Sequence, residues 1–178
     1  MVYVLVDWDS NVARILVISA VTREIVATIP VPRGSTGVSF GPDGAYAYVK
    51  TTTCGPNVQI IDTLANQVVG EVPETPCAND IAFRPDGAAA YITYYNPALT
   101  TSGVRVIDTG TRRVVATIRL SDNAAWTYGI TASSVGYAYV EASNQDFTQT
   151  VFVIYTLSNN VIGTVSGVTG FPGLLKAM

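Results

Sequence analysis

The sequence predicts an all-β fold, and three observations support this fold class. A strand–turn–strand unit occurs four times, most clearly in residues 104–118 and again in 58–70, 15–29 and 151–165. Tyrosines mark a regular period along the chain. Fifteen glycines and nine prolines interrupt the sequence too often for helices, whereas β-branched residues alternate within short runs. Together these features predict short antiparallel strands that are joined by turns.

The period is set by Tyr3, Tyr48, Tyr91 and Tyr139, each of which is followed by Val or Ile. The intervals between them are 45, 43 and 48 residues. Such a period is typical of propellers and solenoids, and strands without helical periodicity favour the propeller. We therefore predict one domain, residues 1–178, that forms a β-propeller of four four-stranded blades. The sequence repeats are approximately 2–46, 47–89, 90–137 and 138–178.

Each repeat is predicted to hold four strands, which are rich in β-branched and aromatic residues and bounded by turn residues. The first repeat has strands at 2–6, 14–18, 24–29 and 37–40. The second repeat has strands at 47–51, 58–61, 67–72 and 80–83. The third repeat has strands at 90–94, 104–107, 113–120 and 128–131. The fourth repeat has strands at 138–142, 151–154, 161–165 and 173–177.

Two types of turn recur between these strands. Residues 41–44 and 84–87 each join a proline, which presets φ, to a glycine, which accepts a positive φ. The other turn begins with Asp62-Thr63 in the second repeat and Asp108-Thr109 in the third. We expect each of these aspartates to accept hydrogen bonds from nearby backbone N–H groups. Both aspartates are therefore predicted to stabilise turns.

Four motifs follow one another in a fixed order along the chain. Tyr-Val or Tyr-Ile is followed by Val-Ile-Asp-Thr or a variant of it, then by Val-Ala-Thr-Ile, then by Pro-Asp-Gly-Ala. Over essentially the whole chain, this order resembles the YVTN family of β-propeller repeats. Some copies have diverged, since only the third repeat keeps a threonine, Thr93, two residues after the tyrosine, and the fourth has no Pro-Asp-Gly. Members of that family commonly have seven blades, so four repeats stand at the low limit.

The resemblance also implies where each strand lies within its blade. In such propellers the innermost strand precedes Pro-Asp-Gly, and the strand with the tyrosine comes next outward. The chain then begins on a second strand, 2–6, and ends on an innermost strand, 173–177. We expect these strands to pair and to close a single-chain ring without an unpaired edge, so a monomer is favoured. The alternative is a head-to-tail dimer that forms an eight-bladed ring.

Composition excludes several classes of function. The chain has no histidine, which removes Ser/His and Cys/His nucleophile systems and histidine-based zinc sites. A net charge of −3 and a pI near 4.7 argue against nucleic acid as a partner. No apolar run is long enough to span a membrane. Residues 1–6 are interpreted as a strand rather than a signal peptide, because they lack a basic segment and are followed by Asp7 and Asp9.

Loops after the second and fourth strands of a repeat should emerge on the same face, which we call the long-loop face. The tight turns occupy the opposite face, which we call the short-turn face. Loops after second strands are 7–13, 52–57, 95–103 and 143–149. Loops after fourth strands are 31–36, 73–79, 121–127 and 166–171. Because binding residues cluster on long, variable loops, the long-loop face is the predicted site.

The predicted site carries aromatic residues interleaved with carboxylates and amides, which suit stacking on a sugar, a planar metabolite or a peptide. The predicted ligand-binding residues are Asp7, Trp8, Asp9, Arg33, Tyr94, Tyr95, Asn96, Asp122, Trp126 and Phe171. Asp146 and Phe147 lie on the same face. An alternative interpretation is that Trp126 and Phe171 plug the hub of the ring or pack between blades. Asp7 and Asp9 lack further fixed ligands, so no metal is predicted.

Cys54 and Cys77 are 23 residues apart, but the repeat places both on the long-loop face. A disulfide between them is possible if their Cα atoms come within about 7 Å. Such a bond implies an oxidising, extracytoplasmic compartment. A nucleophilic cysteine is disfavoured because the chain has no histidine to activate it.

The leading functional hypothesis is a non-enzymatic binding module whose long-loop face engages a small molecule, a glycan or a protein. No catalytic residue and no cofactor are assigned. The alternative is a small histidine-free enzyme of the lyase, isomerase or cyclase type, with Asp7, Asp9 and Asp122 as candidate acids and bases. A third possibility is a repeat unit within a larger ring or surface assembly.

Overall fold

A computed structural model shows an all-β protein. The structure describes residues 1–6, 13–51, 53–55, 57–97, 101–120 and 124–168. Within these residues the regular elements are fifteen β-strands, and none is a helix. The strands form four antiparallel sheets, so the prediction of a propeller built from small antiparallel blades is confirmed.

The sheets follow one another in chain order. The first sheet contains β1 (Val2–Val6), β2 (Ala13–Ile18) and β3 (Ile25–Val31). The second contains β4 (Ser35–Phe40), β5 (Tyr46–Thr51), β6 (Val58–Asp62) and β7 (Gln67–Val72). The third contains β8 (Ala78–Phe83), β9 (Ala89–Asn96), β10 (Thr101–Asp108) and β11 (Arg113–Arg119). The fourth contains β12 (Ala124–Ala132), β13 (Tyr137–Asn144), β14 (Gln149–Tyr155) and β15 (Asn160–Val168).

The strand order agrees with the predicted phase of the repeat. In each of the last three sheets, the strand before the Pro-Asp-Gly position lies at one edge and the strand with the tyrosine pairs with it. The described part of the first sheet has three strands and begins with the tyrosine strand. The strand predicted to complete it, 173–177, lies outside the described residues, and so do residues 7–12.

A bulged turn joins the two outer strands of every sheet. The register of each outer pair shifts by one residue just before the turn, as it does between Ile60 and Ile61 in the second sheet. The fifth residue of the turn then takes a positive φ, and these residues are Arg23, Asn66, Arg112 and Asn159. An extra residue and a left-handed conformation together tighten the twist of a hairpin. The same backbone device therefore recurs in all four sheets.

The threonine of this turn ties it to the inner hairpin of the same sheet. Thr63 Oγ1 donates to Gly44 O at 2.6 Å, Thr109 Oγ1 to Gly87 O at 2.6 Å, and Thr156 Oγ1 to Gly136 O at 3.0 Å. In the first sheet this position holds Ala20, and the described part of that sheet has no inner hairpin. The repeated threonine therefore fixes the short-turn face of each complete sheet.

The turn aspartates do what the sequence predicts. Asp62 Oδ1 accepts hydrogen bonds from the backbone N–H groups of Leu64 and Ala65, each at 2.9 Å. Asp108 Oδ1 accepts from the N–H of Thr111 at 2.7 Å. This backbone hydrogen bond is the main reason that the pKa of Asp108 lies below its usual value. Both side chains are scaffold, and the prediction that they stabilise turns is confirmed.

The hydrophobic core lies between sheets rather than inside any one sheet. Three clusters of buried residues join the first sheet to the second, the second to the third, and the third to the fourth. Neighbouring residues of one strand face opposite clusters, since Ile60 packs toward the third sheet and Ile61 toward the first. A strand that is buried on both faces needs a nearly continuous apolar run, which explains sequences such as Val-Ile-Asp. The middle sheets are therefore covered on both sides.

The outer faces of the first and fourth sheets are different. Among the described residues, no cluster joins these two sheets, and Val2, Val4 and Val165 are 49%, 39% and 54% exposed. The counterparts of Val2 and Val4 in the second sheet, Ala47 and Val49, are buried against the first sheet. Ring closure through residues 173–177 remains a prediction, because those residues lie outside the described part of the chain.

Candidate functional site

The alternation of antiparallel strands places the loops after second and fourth strands on one face, but the described ones, such as 32–34 and 145–148, are no longer than the turn 19–24 on the opposite face. Of the predicted ligand-binding residues, the structure describes Arg33, Tyr94, Tyr95, Asn96 and Trp126. The other five, which are Asp7, Trp8, Asp9, Asp122 and Phe171, lie outside the described residues. The geometry of the site is therefore built from the third and fourth sheets, which carry most of the described candidates.

Three aromatic side chains form a continuous line, which we call the aromatic row. The ring centroids of Tyr95 and Trp126 are 6.3 Å apart, and those of Trp126 and Phe147 are 6.4 Å apart. The Trp126 and Phe147 rings lie within 19° of parallel, which is a stacked arrangement. Trp126 is 40% exposed and Phe147 is 77% exposed. The row thus presents aromatic faces to solvent at the junction of two sheets.

Backbone irregularities set the orientation of two of these rings, Trp126 and Phe147. The pairing of β12 with β13 is bulged on both sides of Trp126, between Ala124 and Trp126 and between Thr127 and Ile130. Bulges near sites commonly redirect a side chain. Phe147 has a φ of +64°, a conformation that costs a residue with a side chain on the order of 1 kcal/mol or more. The chain therefore holds Phe147 outward at an energetic cost.

The turn around Phe147 is firmly closed by polar contacts. Asn144 accepts from the N–H of Phe147 through its carbonyl at 3.0 Å, and its own N–H donates to Thr148 O at 2.9 Å. Asp146 Oδ1 accepts from Thr148 Oγ1 at 2.7 Å and from Thr148 N at 3.1 Å. These hydrogen bonds, the side-chain bond first, hold the pKa of Asp146 below its usual value. A carboxylate that is ionised at neutral pH therefore adjoins the exposed ring.

Tyr94 is buried on the side of β9 that turns toward the second sheet, opposite to Tyr95. The guanidinium carbon of Arg105 lies 4.7 Å from the centre of the Tyr94 ring, a cation–π arrangement. Arg105 Nη2 also forms an ion pair with Glu74 Oε2 at 3.3 Å, and Thr127 Oγ1 donates to Tyr94 O at 3.2 Å. A Cβ at Gly103 would clash with the Ile118 carbonyl and crowd the Tyr94 ring, so only glycine fits there.

A disulfide joins Cys54 to Cys77 at the edge of the same face. Their Cα atoms are 4.4 Å apart, within the range that the bond requires. The carbonyl of Cys77 accepts a hydrogen bond from the N–H of Tyr95 at 3.4 Å. The bond therefore links the loop between β5 and β6 to the strand end that carries the first ring of the aromatic row.

An ion pair that sequence reasoning missed lies between the inner strands of three sheets. Lys50 Nζ is 2.8 Å from Asp80 Oδ1, and the two side chains are 18% and 14% exposed. Asp80 Oδ2 accepts from the N–H of Ile130 at 3.1 Å, and its own N–H donates to Thr93 Oγ1 at 2.9 Å. Asp80 thus fastens the second, third and fourth sheets at their inner edges.

The structure brings some of the predicted site residues together and separates others. Tyr95 and Trp126 are in contact, and Asn96 ends the same strand as Tyr95, whereas Tyr94 lies on the opposite side of that strand. Arg33 is exposed in the turn between the first and second sheets, where its carbonyl accepts from Thr53 Oγ1 at 3.1 Å. Trp126 is partly exposed and contacts Tyr95 of the third sheet and Phe147 of the fourth, so its ring lies between neighbouring blades, as the alternative interpretation allows.

The sequence places Phe147 on the long-loop face but does not single it out as one of the predicted ligand-binding residues. Its contact with Trp126 joins a bulged inner strand to the turn between β13 and β14. A useful signal was available, because a bulky aromatic residue in the polar turn Asn-Gln-Asp-Phe-Thr is unusual for an exposed loop tip. Only the fold shows that the ring reaches Trp126.

Two searches of the described residues bear on other kinds of site. No cluster of three or more Asp, Glu or Cys residues that could hold a metal ion occurs among them. Within the same residues, no helix is long and apolar enough to cross a membrane.

Comparison with solved structures shows the same fold. A Kuenenia stuttgartiensis hydrazine synthase chain superposes with a TM-score of 0.75 and 21% identity over 88% of this chain. U3-55K and the RRP9 WD40 repeats each superpose over 75% of this chain with 11% identity, at TM-scores of 0.61 and 0.60. At these identities the similarity shows the propeller fold alone.

The chain spans 43% of the hydrazine synthase chain and 39% of each of the other two. No protein-family model matches the sequence. No curated protein matches it either.

Proposed function

We propose that this protein is a non-enzymatic binding module that engages its partner through the aromatic row on the long-loop face. The observation that carries the proposal is the solvent-exposed stack of Trp126 on Phe147, with Tyr95 beside it. Contiguous exposed aromatic surface on a soluble protein marks interaction sites, and Trp and Tyr dominate binding hot spots.

The cost of holding Phe147 supports a role in binding over a role in folding. A ring that is 77% exposed contributes little hydrophobic stabilisation to the fold, yet it occupies a left-handed conformation that glycine or asparagine would adopt more readily. Strained residues of this kind collect at functional sites. The rigid turn also means that little conformational entropy is lost when a partner covers the ring.

A protein or peptide is the partner class that fits best. The three contacting rings offer apolar surface, with Trp126 stacked on Phe147 and Tyr95 tilted by 43°, and the adjacent Asp146 carboxylate offers a partner for a basic side chain. Hot spots of protein interfaces combine aromatic anchors with such charged neighbours. A glycan that stacks on the rings and a planar small molecule are the other classes that the row can accommodate.

The partner class is tested by presenting the full-length chain with a phage-displayed random peptide library and, separately, with a panel of plant, fungal and bacterial oligosaccharides. We expect peptides with an apolar core and a basic residue to be enriched. A matched selection against the Trp126→Ala/Phe147→Ala variant should lose those peptides. Oligosaccharide binding without peptide enrichment would move the proposal to a glycan. Binding by neither class would refute it.

From the order of the motifs, we also propose that the module belongs with the YVTN-type propellers. The Cys54–Cys77 disulfide supports an oxidising, extracytoplasmic location. A free-thiol assay on protein purified from its native compartment tests the location. Full modification of both cysteines without a reductant would contradict it.

We further propose that residues 173–177 complete the first sheet and close a ring of four blades within one chain. The outer faces of the first and fourth sheets are apolar and exposed, whereas the equivalent faces are buried at the three observed interfaces. This difference supports a closed ring, in which these two faces would pack against each other. A light-scattering mass of one chain is the expected result. A mass of two chains would instead support the head-to-tail dimer.

Deletion of residues 173–178 tests the closing strand itself. If the strand pairs as proposed, the truncated chain loses a large part of its stability and melts well below the intact chain. An unchanged melting temperature would show that the terminal pairing is wrong.

A further inference from the structure

The interface between the second and third sheets differs from its two neighbours at one tyrosine. At the first interface, Tyr3 Oη donates to Asn66 Oδ1 at 2.5 Å and to Thr63 O at 3.3 Å. At the last interface, Tyr91 Oη donates to Asn159 Oδ1 at 3.0 Å. Each of these hydroxyl groups therefore contacts the outer turn of the following sheet, where an asparagine amide oxygen accepts its hydrogen bond.

Tyr48 is the equivalent residue of the middle interface and is 1% exposed. The turn that it faces carries Arg112 in place of the asparagine, and an arginine has no acceptor to offer. The Arg112 guanidinium lies over the Tyr46 ring at 4.5 Å and donates through Nη2 to Tyr46 Oη at 2.7 Å. Within the described part of the chain, Tyr48 Oη has no hydrogen-bond acceptor.

A cavity of about 140 Å³ occupies this position on the short-turn face. The turn also carries Gly110, which lines the cavity, where the equivalent turns carry Leu64 and Leu157. The side chains and backbone that line it come from both sheets. They include Pro42, Asp43, Tyr46, Tyr48, Phe83 and Gly110.

The walls combine a donor, an acceptor and apolar surface. Burial raises the pKa of Tyr48 above its ordinary value, so the hydroxyl is protonated and can donate at neutral pH. The Asp43 carboxylate uses Oδ1 to accept from the N–H of Ala45 at 3.0 Å, which leaves its other oxygen for a ligand. The Phe83 ring, which packs edge-on against Tyr48 with centroids 5.2 Å apart, supplies an apolar wall.

We propose that this cavity binds a primary carboxamide, the group at the end of an Asn or Gln side chain. The carbonyl oxygen of the ligand accepts from Tyr48 Oη, and its amide nitrogen donates to Asp43. The first half of this arrangement is the contact that Asn66 and Asn159 make at the neighbouring interfaces. A carboxylate ligand lacks the N–H that Asp43 would accept, and an ammonium ligand offers no acceptor to Tyr48.

The test is an NMR titration of the full-length chain labelled with ¹³C-tyrosine, using propionamide as the probe. Propionate and 2-butanone are matched probes of nearly the same shape, since one adds a charge and the other lacks the amide donor. We expect saturable shifts of the Tyr48 resonances with propionamide. The two matched probes should bind at least about tenfold more weakly, the equivalent of one lost hydrogen bond.

The Arg112→Asn variant should block the cavity by supplying an acceptor for Tyr48 Oη from the protein itself. Its amide should accept from Tyr48 Oη as Asn66 does for Tyr3, and asparagine tolerates the φ of +60° at this position better than arginine. We expect the variant to fold and to lose at least about tenfold in propionamide affinity. The Trp126→Ala variant should bind the probe as the wild type does, because its site is on the opposite face.

Two results would overturn the proposal. One is the absence of a saturable shift at Tyr48, which would mean that the cavity holds only water. The other is equal propionamide binding by the wild type and the Arg112→Asn variant. Neither result depends on whether the aromatic row binds a partner.

Discussion

Removal of the Cys54–Cys77 disulfide is expected to destabilise the protein by an amount that follows from the length of the closed loop. The two cysteines are 23 residues apart. For a loop of that length, the chain-entropy relation predicts that the bond stabilises the fold by about 3 kcal/mol at 25 °C. For a chain of this size, that loss lowers the melting temperature by roughly 6–12 °C.

The variant to use is Cys54→Ala/Cys77→Ala. Alanine is preferred to serine because Cys77 is buried, and a serine hydroxyl there would add a desolvation cost of its own. Stability is measured by urea denaturation with circular dichroism, where the midpoint should fall by roughly 1–2 M. The wild type in excess dithiothreitol is the matched control, since it should unfold at the midpoint of the variant.

The entropic reasoning is refuted if the reduced wild type, with both thiols shown to be free by modification, unfolds at the same urea concentration as the oxidised protein. A dithiothreitol effect on the double alanine variant would point to another cause. A shift in the variant without a matching shift in the reduced wild type would show that packing at Cys77, rather than loop closure, carries the stability.

Three further predictions concern the interfaces and the exposed turn. Tyr91→Phe leaves Thr156 O without its donor and should lower the free energy of unfolding in urea by about 1–2 kcal/mol. Above pH 10 the variant should lose less stability than the wild type. The reason is that burial raises the pKa of Tyr91 above 10.0, so the wild type loses stability as the phenol ionises on unfolding. Asp80→Asn breaks a largely buried ion pair and should cost about 2–3 kcal/mol, whereas in a double-mutant cycle with Lys50→Met the second change should cost little more. Phe147→Gly should raise the free energy of unfolding by up to about 1 kcal/mol while weakening partner binding, and a variant that is both less stable and unchanged in binding would contradict the role given to Phe147.

Much of the scaffold is predictable because its determinants are local. The hairpins at 58–70 and 104–118 combine apolar runs with a turn that an aspartate stabilises through its own backbone neighbours. The repeated tyrosines set the register, and the structure shows why, since Tyr3 and Tyr91 each reach the next sheet through a hydroxyl group. Because these interactions recur at one period, the residues that make them can be recognised several times within a single sequence.

The departures from the repeat are harder to predict, because their effect depends on contacts between distant segments. Arg112 stands where two other repeats have asparagine, yet only the neighbouring sheet reveals that Tyr48 loses an acceptor and that a cavity opens. By sequence Trp126 suits the hub, the space between blades or an exposed face, and only the fold shows that its ring contacts Tyr95 of the third sheet. The pairing of Lys50 with Asp80 likewise joins two sheets, and no sequence pattern shows that these two side chains meet.

The aromatic row is tested most directly by the affinity of a peptide selected on the wild-type protein. We would measure it by biolayer interferometry for the wild type, for Trp126→Ala/Phe147→Ala, and for Leu64→Ala/Leu157→Ala. The control pair is also exposed and apolar but lies on the short-turn face. Because truncation of a hot-spot residue costs about 2 kcal/mol or more, the first variant should bind about 100-fold or more weakly. The control should bind within about twofold of the wild type. Equal binding by the wild type and the aromatic-row variant, or equal loss in the control, would contradict the account.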